Sequence, residues 1–182
     1  MIMWRRGLTF FSICALAMAD VRGCGCDPAK AQTMEPRECS LCREAEARAP
    51  EAEVFFLKDI NPRKPNRWLA LPRAHYAGGH GPELMSPGER AKLWTAAIAK
   101  AKELWGEEWG LAYNGEQVRT QCHGHIHIGR LLKGVEYGKP LVVRRVEEIP
   151  APPGKGIWVH PAPAGRLHVH IEESITETVL LR

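Results

Sequence analysis

The segment His123-Gly124-His125-Ile126-His127-Ile128 constrains this chain more than any other. Imidazoles recur at every second position, and two is the period of an extended strand, whose successive side chains point to opposite faces. Read as a strand, the segment sets three histidines side by side at roughly 6–7 Å intervals. It turns Gly124, Ile126 and Ile128 the other way, into a core. Imidazole titrates near neutrality, ligates metals and attacks phosphorus, so the row marks a place where chemistry happens. The bland alternative is a solvated metal-affinity patch.

The remaining pattern is α+β. Residues 53–58 and 67–72 read as short strands, the second ending at Pro72, which has no N–H for a ladder. The clearest element is a helix. Ser86 is a natural N-cap, Pro87 suits the first helical position, and Glu89 completes a capping box. Leu93, Trp94, Ala97, Ile98, Ala101, Leu104 and Trp105 then share one stripe until Gly106 stops it, with both tryptophans as core residues. Further strands are expected at 111–113, 122–128, 141–146, 156–160, 167–171 and 176–181. Sequential strands with one dominant helix predict an antiparallel sheet with that helix packed on it, in a single domain over residues 37–182. His168 and His170 read as ordinary strand residues, and His80 as part of an exposed glycine-rich loop. With 45% hydrophobic and 25% charged residues the chain is globular in composition. A net charge of +4 suits anionic substrates and gives no argument for a nucleic-acid partner.

The start reads as an export signal. Arg5 and Arg6 precede an apolar stretch over residues 8–19, and Ala17-Met18-Ala19 offers small residues before a cleavage point at Asp20. About a dozen apolar residues fall short of the ~20 that span a bilayer. Residues 1–19 are therefore expected as a signal peptide and 20–36 as a flexible leader. Val21-Arg22-Gly23-Cys24 fits a lipid-attachment box only loosely, because Arg22 stands where a small residue belongs. Beyond the signal stand Cys24, Cys26, Cys39, Cys42 and Cys122, an odd number in a compartment that permits disulfides. Cys39-x-x-Cys42 has a spacing shared by zinc sites, redox pairs and small disulfide loops.

The histidine row is fed by a polar, glycine-containing turn from Asn114 to Gln121 that carries Arg119. Backbone N–H groups, an amide and a guanidinium beside imidazoles are groups that hold phosphate oxygens. Here a resemblance becomes specific. Asn114-Gly115 followed by His123-Gly124-His125-Ile126-His127-Ile128 resembles the histidine-triad (HIT) superfamily motif, His-φ-His-φ-His-φ-φ with φ apolar. Val54-Phe55-Phe56-Leu57-Lys58-Asp59 and Trp68-Leu69-Ala70-Leu71-Pro72-Arg73-Ala74-His75 resemble the strands that precede it. Arg119-Thr120-Gln121-x-His123-x-His125-Ile126-His127-Ile128 is most similar to the bacterial CDP-diacylglycerol pyrophosphatase family, with Gly124 replacing an apolar residue.

The resemblance implies a HIT-like fold and an exported, periplasmic or membrane-associated hydrolase. His125 would attack the α-phosphorus of a nucleotide-diphosphate substrate, and water would hydrolyse the resulting nucleotidyl-histidine. His127, Gln121 and Arg119 would bind phosphate oxygens or manage protons, and Asn114 would orient the nucleophile. The lipid-linked substrate CDP-diacylglycerol, split into CMP and phosphatidate, is the leading expectation. Alternatives are soluble dinucleoside polyphosphates or nucleotide sugars, or an exported zinc-binding module without catalysis. Many HIT relatives are homodimers. Some relatives, among them galactose-1-phosphate uridylyltransferases, bind structural zinc. Carried onto this chain, its ligands would be Cys39, Cys42, His75 and His123. The competing reading pairs Cys24, Cys26, Cys39 and Cys42 as disulfides.

Overall fold

The computed structural model describes residues 23–76, 81–135, 138–172 and 176–182. The expected signal at 1–19 and His80 lie outside the described residues. Among those described, one seven-stranded antiparallel sheet carries two α-helices, α1 (Ser40–Glu46) and α2 (Pro87–Trp105). The strands are β1 (Val54–Lys58), β2 (Trp68–Pro72), β3 (Trp109–Tyr113), β4 (Ile126–Arg130), β5 (Leu141–Val143), β6 (Gly156–Ala162) and β7 (Arg166–Glu172). Their order across the sheet is β1-β2-β4-β3-β6-β7-β5. The α+β class expected from the sequence is therefore the class observed. No helix among the described residues is long and apolar enough to cross a membrane.

Helix α2 begins where its caps require. The Ser86 side chain accepts from the Glu89 N–H, and Glu89 returns a bond to the Ser86 N–H. Gly106 closes it at φ +57°, a conformation that costs glycine little. Leu93, Trp94, Ala97 and Ala101 are buried against Leu111, Ile126, Ile128, Val159 and Val169 on one sheet face. That face is closed. By strand alternation the opposite face presents Leu57, Leu69, His127, Ala112, Trp158 and His170 as one cross-strand row.

The histidine strand is shorter than its alternation predicts, because β4 starts at Ile126. Upstream, β2 pairs with β4 only as far as Ala70 opposite Ile126, and Pro72 has no N–H to extend the ladder. Cys122 is tied to Cys24 by a disulfide and gives its N–H to the Glu38 carbonyl, which takes residues 121–125 out of the sheet. Residues 176–181 are not a strand either. Thr176–Val179 is a 3-10 turn, and Leu180 makes a single bridge to Leu131. Arg67 explains this. Its guanidinium donates to the carbonyls of Glu177, Leu180 and Leu181, which a strand would have offered to a neighbour.

The stretch expected as a flexible leader is pinned over its described part. It holds a 3-10 turn (Ala31–Met34) and two disulfides, Cys24–Cys122 and Cys26–Cys39, with Cα separations of 5.7 and 5.8 Å. The Cys24 sulfur is thus committed to Cys122 and not available for lipid attachment. The second partner of the pairing is Cys122 rather than Cys42, which remains a buried free thiol. Two disulfides are consistent with an oxidising, exported setting.

Candidate active site

The triad residues do not form one uniform row. His125 and His127 open into a cavity of about 860 Å³ that is also lined by Asn114, Arg119, Gln121, Ser40, Lys64 and Glu177. Their rings meet edge to face, with centroids 4.8 Å apart. His123 turns away. Its Nε2 lies 2.7 Å from the Pro72 carbonyl, and its ring packs edge-on against His75 at 5.0 Å.

Backbone geometry fixes the chemistry of His125. Its Nδ1 stands 2.8 Å from the His123 carbonyl, a pure acceptor, so Nδ1 carries the proton and Nε2 carries the lone pair. Burial, and then the neighbouring His127, push this imidazole down to about 3. At neutral pH the ring is uncharged and nucleophilic. His127 is likewise neutral: burial lowers it, the Glu177 carboxylate only partly restores it, and it titrates at about 4. Asn114 Nδ2 lies 3.4 Å from its Nε2, while Glu177 Oε2 stands 3.6 Å from its Nδ1, too long for a good hydrogen bond.

No motif or periodicity in the sequence marks Glu177, yet it lines the cavity. Burial alone would raise its carboxyl, but His127, Lys64 and Arg67 outweigh that and hold it down at about 2. Lys64 Nζ lies 2.5 Å and Arg67 Nη1 2.9 Å from the same oxygen. Asn114 ties this group to β3. Its Oδ1 accepts from the Glu177 N–H and the Thr176 hydroxyl, each at 3.2 Å, and Thr176 also donates to the Tyr113 carbonyl. The loop after Asn114 must pass close to 154–156. A Cβ on Gly115 would fall 2.5 Å from the Gly154 carbonyl oxygen, so only glycine fits.

The two polar residues expected upstream both line the cavity. Gln121 lines the cavity with its amide oxygen held by the Ser40 hydroxyl at 2.8 Å, which leaves its NH2 as the end able to donate to a ligand. Arg119 is buried, hydrogen-bonds the Tyr113 hydroxyl and lies over that ring at 5.2 Å. It supplies positive charge to the cavity wall from a fixed position. Ser40, on α1, and Lys64, in the β1–β2 turn, joined the site without any periodic signal in the sequence.

The four-residue metal set is corrected by one ligand. Cys39 is bonded to Cys26 and has no thiolate to offer. Cys42, His75 and His123 do converge, with their ligand atoms all within 4.8 Å of one another, and this group could hold a metal ion. Burial pushes the Cys42 thiol up to about 11, so a cation would have to displace its proton. Glu46 Oε1 lies 2.9 Å from His75 Nε2 and holds that imidazole from the side of α1. His160, His168 and His170 lie on β6 and β7, away from the cavity lining, with His170 stacked on Trp158 at 3.6 Å. No protein-family model matches this chain, and no curated protein matches it.

Proposed function

We propose that this protein is an exported HIT-type hydrolase that cleaves the pyrophosphate of a nucleotide-diphosphate compound, with CDP-diacylglycerol as the leading substrate. The observation that carries the reading is the Nδ1 bond from His125 to the His123 carbonyl. It leaves a bare Nε2 on a neutral imidazole at a cavity that also holds Arg119, Lys64 and the Gln121 amide. In the first step Nε2 forms a bond to the α-phosphorus while the bond from phosphorus to the bridging oxygen breaks, and the β-phosphate ester, phosphatidate for the leading substrate, departs with that oxygen. In the second step water attacks the phosphorus, the P–N bond breaks, and His125 recovers its lone pair. Lys64, Arg119 and the Gln121 NH2 stabilise charge growing on phosphate oxygens. His127, placed between Asn114 and Glu177, gives a proton to the departing oxygen and takes one from the attacking water.

Acid quenching after incubation with CDP-diacylglycerol and with soluble CDP, ADP and UDP esters tests this. A nucleotidyl adduct should appear on His125, and His125→Ala should remove both adduct and turnover, a loss of at least 10³-fold for a nucleophile. Turnover of all substrates at the wild-type rate in His125→Ala would sink the mechanism.

We further propose that Cys42, His75 and His123 hold a structural zinc ion. Bound there, zinc would cross-link α1, the end of β2 and the segment leading into β4. Metal analysis of protein purified without chelator should find one zinc per chain, lost in Cys42→Ser. Equal zinc in wild type and Cys42→Ser would overturn the site.

A further inference from the structure

Ile60 is 97% exposed, more than any other large apolar side chain described. It stands in the β1–β2 turn at the mouth of the cavity, and that turn is firmly built. Asn61 N–H bonds Asp59 Oδ1 at 2.9 Å, Arg63 N–H bonds Asn61 Oδ1 at 3.0 Å, and Lys64 N–H bonds the Asn61 carbonyl at 2.8 Å. Pro62 and Pro65 fix two further φ angles. The isoleucine is therefore held out into solvent by a stiff tip, where burying it in an apolar phase is worth about tenfold to hundredfold in affinity.

Its surroundings say which apolar phase. Lys58 and Arg63 flank it and are exposed, and the exposed Arg37 and Arg43 line the same cavity, with Glu44 and Asp59 beside them. Behind the tip, Leu57 and Leu69 line the cavity and stand in cross-strand register with His127 on the sheet face opposite α2. At about 4.8 Å between strands, they form an apolar path of about 10 Å from the triad to the sheet edge. Together with Leu41 on α1 they form one hydrophobic cluster beside the cavity.

We propose that the β1–β2 tip docks on an anionic phospholipid bilayer, with Ile60 inserted between headgroups and Lys58 and Arg63 on lipid phosphates. The Leu57–Leu69 path then receives the glycerolipid end of the substrate, a step that rests on the hydrolase reading, whereas docking does not. One exposed side chain with flanking cations gives reversible, salt-sensitive binding rather than permanent anchoring.

Co-sedimentation of the full chain with phosphatidylglycerol and phosphatidylcholine vesicles tests the docking, with no nucleotide lipid present. Binding should favour phosphatidylglycerol, weaken with added salt, and fall at least tenfold in Ile60→Ser. Val142→Ser, at another exposed apolar position remote from the tip, should bind as wild type does. Ile60→Cys carrying an environment-sensitive dye should shift to the blue on the anionic vesicles. Unchanged binding in Ile60→Ser, or a dye that stays in water while the protein sediments, overturns the proposal. Vesicle binding through Ile60 by a protein that hydrolyses no nucleotide ester would retire the hydrolase reading and leave docking standing. Hydrolysis without Ile60-dependent binding would do the reverse.

Discussion

Arg67→Ala should unfold this protein more readily than any substitution on its surface. The side chain is 2% exposed and makes four bonds to the C-terminal segment. Nε reaches the Leu181 carbonyl, Nη1 the Glu177 carboxylate and Nη2 the Glu177 carbonyl, all at 2.9 Å, while Nη2 also reaches the Leu180 carbonyl at 2.5 Å. Charge-assisted bonds are worth about 1.5–3 kcal/mol each, so adding four of them would rival the ~5–15 kcal/mol stability of a whole domain. They cannot simply add, because burial opposes the guanidinium charge and pushes its pKa down despite Glu177 beside it. The better guide is the cost of removing one partner from a buried ion pair, about 3–5 kcal/mol. Urea unfolding at pH 7 would register that as a midpoint lower by about 2 M for a slope near 2 kcal/mol/M. Arg67→Lys should recover less than half, since one ammonium cannot bridge four acceptors at those positions. A loss below about 1 kcal/mol in Arg67→Ala would show that the C-terminal segment is held by something else.

Two further outcomes follow from the site and its frame. His127 titrates at about 4 in the folded protein against 6.5 in an unfolded chain. Between those values the unfolded state binds the extra proton, so stability is full above pH 6.5 and is lost as pH falls towards 4. The contribution is on the order of 3 kcal/mol. Melting temperature followed from pH 7 to 4 should fall less steeply in His127→Gln, and an unaltered slope would refute the assignment. The disulfides should rank by the loops they close. Cys24–Cys122 spans 98 residues and Cys26–Cys39 spans 13. Chain entropy gives about 4.7 and 3 kcal/mol respectively. Cys24→Ser should therefore lower the denaturation midpoint more than Cys26→Ser, and the opposite order would count against an entropic origin.

What the sequence made legible was what local pattern alone decides. Helix α2 announces itself through Ser86, Pro87, Glu89 and an apolar stripe, because caps and periodicity act within a few residues. The α+β class followed from short strands around that helix. Helix α1 spans seven residues, too few for a periodic signal, and so stayed invisible although Ser40 and Leu41 line the cavity. The triad is visible as alternation, and Asn114, Arg119, Gln121, His125 and His127 do come together. Glu177 and Lys64 were beyond reach for a different reason. Glu177 reaches the site only because Arg67, far from it in sequence, binds backbone carbonyls that would otherwise build a strand, and Lys64 gains its role by pairing with Glu177 there.

The same contrast explains why three equally spaced imidazoles end in different places. Alternation would keep His123 beside His125 if the strand continued, but Cys122 anchors the chain to Cys24 and to the Glu38 carbonyl just before it. That anchor frees residues 121–125 from the ladder. It lets the His123 carbonyl bend back to fix the His125 proton, and it sets Gln121 against Ser40 on α1. The Cys26–Cys39 bond then holds the residue directly before α1. Oxidation therefore shapes the site as well as stabilising the fold. The His125 tautomer and one wall of its cavity both rest on segments that the two disulfides pin, and this couples the chemistry proposed for His125 to an oxidising compartment.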